Sequence, residues 1–338
     1  MLLELNDVSL ELKRDGKYVR ILDQISFQVK KGETLGIVGE SGCGKSMTAL
    51  SIMKLLPEKA KLNGSVKLDN EEVTNFSRRE MEKVRGNKIS MIFQDPLTSL
   101  NPLHTVGRQI EEPLVLHTKL TKEQRKERVI QLLKEVGLPR AEELAMEFPH
   151  QLSGGMRQRI MIAIAMACNP SVLVCDEPTT ALDVTVQAQI LELMNHLKEV
   201  NDMGIIMITH DLGVVAEVCN RVVVMYAGKI VEEADVKELF LNPKHPYTKG
   251  LLESIPKLGV RKEKLGSIPG MVPSPDKMPE GCRFYDRCSS AMDICKGAVP
   301  PIQSVGENHA TACWLYAEKR GEQNGTARSK GLKTALHH

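Results

Sequence analysis

Along the first thirty residues apolar and polar side chains alternate. Val8, Leu10 and Leu12 share one face of an extended segment, and Ile25, Phe27 and Val29 share another, the period of half-buried strands. Lys31-Gly32 predicts a turn into "TLGIVG" (34–39), a short apolar run that ends in glycine. Helical spacing follows from Ser46 to Leu56 and stops at Pro57, and "NGSVKLD" (63–69) reads as a turn entering another strand. "TKEQ" predicts a capping box from Thr121 to Gln124. Val129, Leu132, Leu133 and Val136 then recur at helical spacing until Gly137, which ends the helix. From about 153 helix and strand alternate: helix to Cys168, strand 172–175, helix 187–200, strand 205–209, helix 212–218, strand 222–226. That alternation predicts a parallel α/β sheet.

After about residue 236 the pattern changes. Pro256, Pro269, Pro273, Pro275 and Pro279 lie in a basic, polar setting that reads as an extended linker. Cys282, Cys288, Cys295 and Cys313 follow, and the stretch from Glu318 onward lacks periodicity, which predicts mobility.

Composition narrows the classes. The 338 residues, 42% of them hydrophobic, suffice for two domains with sizeable cores. Lys and Arg number 45 against 43 Asp and Glu, so neither nucleic acid nor an acidic membrane surface is an expected partner. The longest apolar runs, such as "IMIAIAMAC" (160–168), stop far short of the ~20 residues a bilayer requires. "MLLELNDVSLEL" carries acids where a secretory signal is basic and then apolar. The expectation is a soluble, cytosolic chain, whose clustered thiols point to metal before disulfide.

Four apolar runs end in chemistry. "GESGCGKS" (39–46) follows a strand and opens a helix, the context of a phosphate loop. Gly39, Glu40, Ser41, Gly42, Cys43, Gly44 and Met47 supply backbone around phosphate oxygens, with Cys43 a small filler. Lys45 is placed to neutralise the β and γ phosphates, and Ser46 to ligate Mg²⁺. "SVLVCDEP" (171–178) ends in Asp176, a candidate for the magnesium shell, and Glu177, a candidate to orient the attacking water. Pro178 predicts extended geometry at Glu177. "KISMIFQ" ends at Gln94 and "GIIMITH" at His210. If the four runs share one parallel sheet, their carboxyl ends converge on one ligand. Alternatively, Gln94 forms a turn, and His210 with Asp211 caps a helix. "QLSGGMRQR" (151–159) predicts a helix with Ser153 as N-cap, whose Gly154 and Gly155 expose amides to an anion.

Taken together, these residues resemble the ATP-binding cassette family over about residues 1–235. "LSGGMRQR" is similar to that family's signature motif, and "TTALD" (179–183) to the loop after its magnesium-binding strand, with Asp183 the informative position. Gln94 sits where the family's Q-loop glutamine sits, and His210 where its switch histidine sits. The resemblance implies a P-loop NTPase (RecA-like) parallel core, an antiparallel β subdomain and a helical subdomain at about 95–165. It also implies ATP and Mg²⁺, the metal held by Ser46, Gln94 and Asp176. Two cassettes would close head to tail, so that Ser153, Gly154 and Gly155 of one complete the site of the other. An aromatic stacks on adenine in the family, and Tyr18 is the candidate here.

"DPLTSLNP" after Gln94 and "NPKHPYTKGLLESIP" (242–256) resemble the ATPase subunits of dipeptide and oligopeptide importers. This implies two membrane permease subunits, a second ATPase (paralogous or identical), an external peptide-binding protein and a peripheral location on the cytoplasmic face of the membrane. The alternatives are an ATPase of another importer or of iron–sulfur assembly. The interval from Lys45 to Asp176 is too short for the coiled coil of chromosome and repair ATPases.

Residues 236–338 are expected to form a small irregular cysteine-rich extension, with the metal-binding segment at 282–313. The spacing C-x5-C-x6-C-x17-C lacks the C-x2–4-C knuckle of structural zinc sites. Long intervals suit a [4Fe–4S] cluster better. Zinc, with His309 as a spare ligand, and unligated thiols are the alternatives. A segment from 257 to 316 with few large apolar residues is expected to need such a staple. Loss of the staple is expected to loosen the extension and leave the nucleotide pocket intact. Cys168, Cys175 and Cys219 lie in apolar runs and read as core residues.

Overall fold

The computed structural model describes residues 1–180, 182–254 and 268–317. Pro256 and the tail from Glu318 lie outside these. Strands β1 (Leu3–Arg14) and β2 (Lys17–Val29) form a hairpin that pairs with β4 (Lys61–Leu68) and the short β5 (Glu71–Glu72) in one antiparallel sheet, ordered β2-β1-β4-β5. Leu3, Leu5, Val8 and Leu10 of β1 are all buried, although the step from Leu5 to Val8 breaks the two-residue period. A register shift between these residues, with Asp7 at φ 49°, absorbs the extra position, as a β-bulge does. The turn expected near Asn63 is absent. Lys61 to Leu68 is continuous strand, and Gly64 at φ 95° lies so close to the Asn6 and Asp7 carbonyls that a Cβ would come within 2.7 Å of both.

The second sheet carries the four converging runs. Strands β3 (Thr34–Val38), β6 (Ile89–Ile92), β7 (Val172–Asp176) and β8 (Gly204–Ile208) lie parallel in the order β3-β8-β7-β6. Every residue of β3, β7 and β8 is buried. This explains their unbroken apolar character, because helices cover a parallel sheet on both faces. β9 (Arg221–Tyr226) continues the sheet beside β3, and β10 (Lys229–Asp235) returns antiparallel to it. Helices Val106–His117, Lys122–Glu135 and Gly154–Met166 pack Ile110, Leu114, Leu132, Leu133 and Ile160 into a common core. The capping box at Thr121 and Gln124 forms as predicted.

The extension is more regular than composition suggested, although 255–267 lie outside the described residues and the rest of the expected linker, 268–279, carries no helix or strand. Helices Val236–Leu241 and Pro246–Glu253 follow β10 directly. Strands β11 (Gln303–Gly306) and β12 (His309–Thr311) then form a hairpin, and β12 pairs antiparallel with β10, Ala234 opposite His309. The extension thus covers the β10 edge of this sheet, a protection exposed edges commonly need. It also joins a shared core. Phe284 packs on Tyr226, ring centroids 5.1 Å apart, and on Tyr247 at 5.4 Å. Ile268, Val272, Met278, Cys282 and Cys288 gather round that same cluster.

Candidate nucleotide site

The ends of β3, β8, β7 and β6 meet at one cavity of about 620 Å³. Ser41, Gly42, Gly44, Lys45, Ser46 and Met47 form one wall, with Gln94, Glu177, Thr180 and His210 opposite. The loop after β3 bends through glycines at φ 152° (Gly39), 79° (Gly42) and 108° (Gly44), values that side chains other than glycine's rarely adopt. At Gly39 a Cβ would also lie 2.2 Å from the Met225 carbonyl oxygen. Cys43 is buried beneath the loop, and burial raises its thiol pKa. Lys45 is 6% exposed, and its Nζ donates to the Gly39 carbonyl at 2.8 Å and the Glu40 carbonyl at 3.3 Å.

Ser46 Oγ donates to Asp176 Oδ1 at 3.1 Å. Burial raises the Asp176 pKa, and the Ser46 hydrogen bond opposes that shift. This pair of hard oxygen donors suits a small divalent cation such as Mg²⁺. Glu177 receives three contacts: Gln94 Nε2 at 2.9 Å, Thr180 Oγ1 at 3.1 Å and His210 Nδ1 at 3.2 Å. Gln94 and His210 therefore reach the carboxylate from the neighbouring strand ends. Asp211, not His210, caps the helix Leu212–Val218, accepting from Gly213 N at 2.8 Å. The extended geometry that Pro178 predicted for Glu177 is not adopted. Glu177 stands at φ 50° with its N–H on the Ile208 carbonyl, a left-handed conformation costing about 1–3 kcal/mol. That bend turns the chain abruptly at the strand mouth.

Other expected residues lie elsewhere. Tyr18, at the tip of the β1–β2 hairpin, is 43% exposed, carries Lys61 Nζ 3.7 Å from its ring centroid, and does not line the cavity. Ile21, three residues further along β2, does. Ser153 caps its helix through Met156 N, and neither it nor Gly154 nor Gly155 lines this cavity. Asp183 caps the helix Val184–Asn201; Ala181 lies outside the described residues. Thr180, within "TTALD", was not singled out as a site residue, yet it reaches Glu177.

The cysteine segment reaches this site. Arg287 bonds the Glu40 carboxylate, and Tyr247 Oη accepts from Glu40 N at 2.8 Å. The extension thus touches the phosphate loop directly, a contact that no local pattern announced. The four thiols are free, Cys295 and Cys313 buried and the other two half-buried. Burial, with the neighbouring thiols adding to it, raises the pKa values of Cys282, Cys288 and Cys313, that of Cys282 to about 11. Among the described residues, however, no three His, Cys, Asp or Glu side chains are arranged to hold one metal ion. His309, the alternative ligand, has its Nε2 2.7 Å from Glu232, both side chains being fully buried, and its Nδ1 3.5 Å from Glu238. Cys175 and Cys219 pack in or against the core, burial raising Cys219 to about 12.

Residues 22–180 match the ABC transporter family, and residues 231–295 match the oligopeptide/dipeptide transporter C-terminal region. The chain is 49% identical over 325 residues to the oligopeptide transport ATP-binding protein AppD of Bacillus subtilis (strain 168), covering 96% of this chain and 99% of the relative. The chain belongs to the ABC transporter family. It is 45% identical over 319 residues to the oligopeptide transport ATP-binding protein OppD of Salmonella typhimurium, covering 94% and 95% of the two chains. Among solved structures it resembles the dimeric post-hydrolysis state of the ATP-binding cassette MJ0796 bound to ADP and Pi. That likeness has a TM-score of 0.63 and 31% identity over 70% of this chain and 99% of that one. It also resembles CbiO1 from Clostridium perfringens at 0.62 and 29%, over 71% and 91%. The ABC chain described here is an ATP-binding ATPase. Among the described residues no helix is long and apolar enough to cross a membrane.

Proposed function

We propose that this ATPase powers the uptake of di- and oligopeptides through two membrane permease subunits to which it binds from the cytoplasmic face. The names of its relatives support the substrate class. A chain whose described helices cannot cross a bilayer needs a separate pore. Residues 1–235 would form the nucleotide-binding domain and 236–338 an extension docked on it. Two such cassettes, identical or paralogous, close head to tail, and Ser153 to Gly155 of one approach the nucleotide of the other.

The observation that carries the mechanism is the Glu177 carboxylate, held by Gln94, Thr180 and His210 across the cavity from Lys45. Lys45 leaves its loop carbonyls for the β and γ phosphates. Glu177 orients the attacking water and takes its proton. His210 supports the γ-phosphate, and Gln94 passes the change at that phosphate to the loop behind it. Ser46 and Asp176, with Gln94, would hold Mg²⁺, whose charge would offset that developing on the phosphate oxygens.

A Glu177→Gln variant should bind ATP but turn over at least about a hundredfold more slowly, and cells carrying it should lose uptake of a labelled tripeptide. Turnover at the wild-type rate would remove Glu177 from its role; loss of turnover with uptake intact would remove the peptide assignment.

The four thiols are best read as the ligands of a [4Fe–4S] cluster that staples the extension. The support is the spacing of the four cysteines along the chain, C-x5-C-x6-C-x17-C, which lacks a zinc knuckle. Four iron corners span more space than one ion. Iron and acid-labile sulfide content is the test.

A further inference from the structure

Glu40, the second residue of the phosphate loop, is held at each of its polar groups. Its carbonyl accepts from Cys43 N at 3.2 Å and from Lys45 Nζ at 3.3 Å. Its amide donates to Tyr247 Oη at 2.8 Å. Its carboxylate accepts from Arg287 twice, at 2.6 Å and 2.9 Å. Two of these three grips come from the extension, and Arg287 lies beside Cys288 in sequence.

Arg287 is itself fixed. Its side chain is 5% exposed, Nε donates to the Pro269 carbonyl at 2.8 Å, and Nη1 lies 3.4 Å from Tyr226 Oη. A two-pronged guanidinium–carboxylate pair sets orientation as well as distance. The loop it grips contains three glycines at positive φ and has little stiffness of its own. A loop already held in its binding shape loses less freedom when phosphate arrives.

We propose that Arg287 is a positioning residue of the nucleotide site: through Glu40 it holds the phosphate loop and the seat of Lys45, so that the C-terminal extension sets nucleotide affinity. The proposal rests on the ATP-binding role of this cavity. Lys45→Ala serves as the control for that role.

The experiment measures binding of the fluorescent analogue mant-ATP with Mg²⁺ to the full chain, and KM and kcat for ATP, at a temperature where circular dichroism shows each variant folded. Arg287→Met should weaken mant-ATP binding roughly tenfold, raise KM similarly and change kcat less than twofold. Arg287→Lys should recover only part of this, since an ammonium lacks the planar fork. Glu40→Gln should weaken binding as well, and the double variant should be no worse than the stronger single one, since both break one contact. If Arg287→Met does not fold, Glu40→Gln and Tyr247→Phe carry the same comparison. Folded variants that bind mant-ATP within twofold of wild type would overturn the proposal. Wild-type protein that binds no better than Lys45→Ala would instead overturn the phosphate-site reading.

Discussion

His245 offers a quantitative test of how the extension is built. It sits at the N-cap of the helix Pro246–Glu253, 1% exposed, with Nδ1 accepting from Tyr247 N at 3.0 Å and its ring 5.8 Å from that of Phe284. Burial alone lowers its pKa from 6.5 to about 3. The unfolded chain therefore takes a proton near pH 6.5 that the folded chain refuses until about pH 3. A depressed folded-state pKa gives stability that is complete above the unfolded value and is lost as pH falls through the window between the two. Each pH unit inside that window costs about 1.4 kcal/mol, so acidification from pH 7.5 to pH 5 should remove roughly 2 kcal/mol through this one residue. Asn keeps an acceptor for Tyr247 N and cannot titrate. Urea unfolding of wild type and His245→Asn, repeated between pH 7.5 and pH 5 and followed by Trp314 fluorescence, should give curves whose difference is flat above pH 7 and then falls by that amount. Parallel pH dependences of the two proteins would refute the reasoning, whatever the offset between them.

Glu232 is fully buried and accepts from Lys244 N at 2.6 Å, His245 N at 2.9 Å and His309 Nε2 at 2.7 Å. Glu232→Ala strands all three donors and should cost about 3–5 kcal/mol in urea unfolding; a loss under about 1 kcal/mol would show that water or relaxation satisfies them. Anaerobically purified protein should carry about four irons and four acid-labile sulfides per chain, with broad absorbance near 400 nm, if the thiols hold a cubane. One zinc without sulfide would keep a staple of different chemistry, and metal-free folded protein would remove it.

The runs ending at Gly39, Gln94, Glu177 and His210 were legible because a fully buried parallel strand must be apolar throughout, and polarity can return only at its mouth. The capping box at Thr121 was legible because it is a contact between residues three apart. The β1 bulge and the strand through Gly64 were not, since each depends on what the partner strand offers in register. Glu177 shows a local rule overruled: Pro178 favours extended backbone, yet the turn out of β7 holds φ at 50°.

What the sequence alone determined were the features set by neighbours along the chain: the phosphate loop, the acidic strand end, the helix caps and the identity of the four thiols. The tertiary structure decided which distant groups share a contact. It set His309 on Glu232, and Arg287 on Glu40 from 247 positions away. It also left Tyr18 outside the cavity that Ile21 lines. The physical reason is that side chains so far apart along the chain meet only where strand pairing brings them, and the pairing of β12 with β10 buries a surface that no local pattern marks.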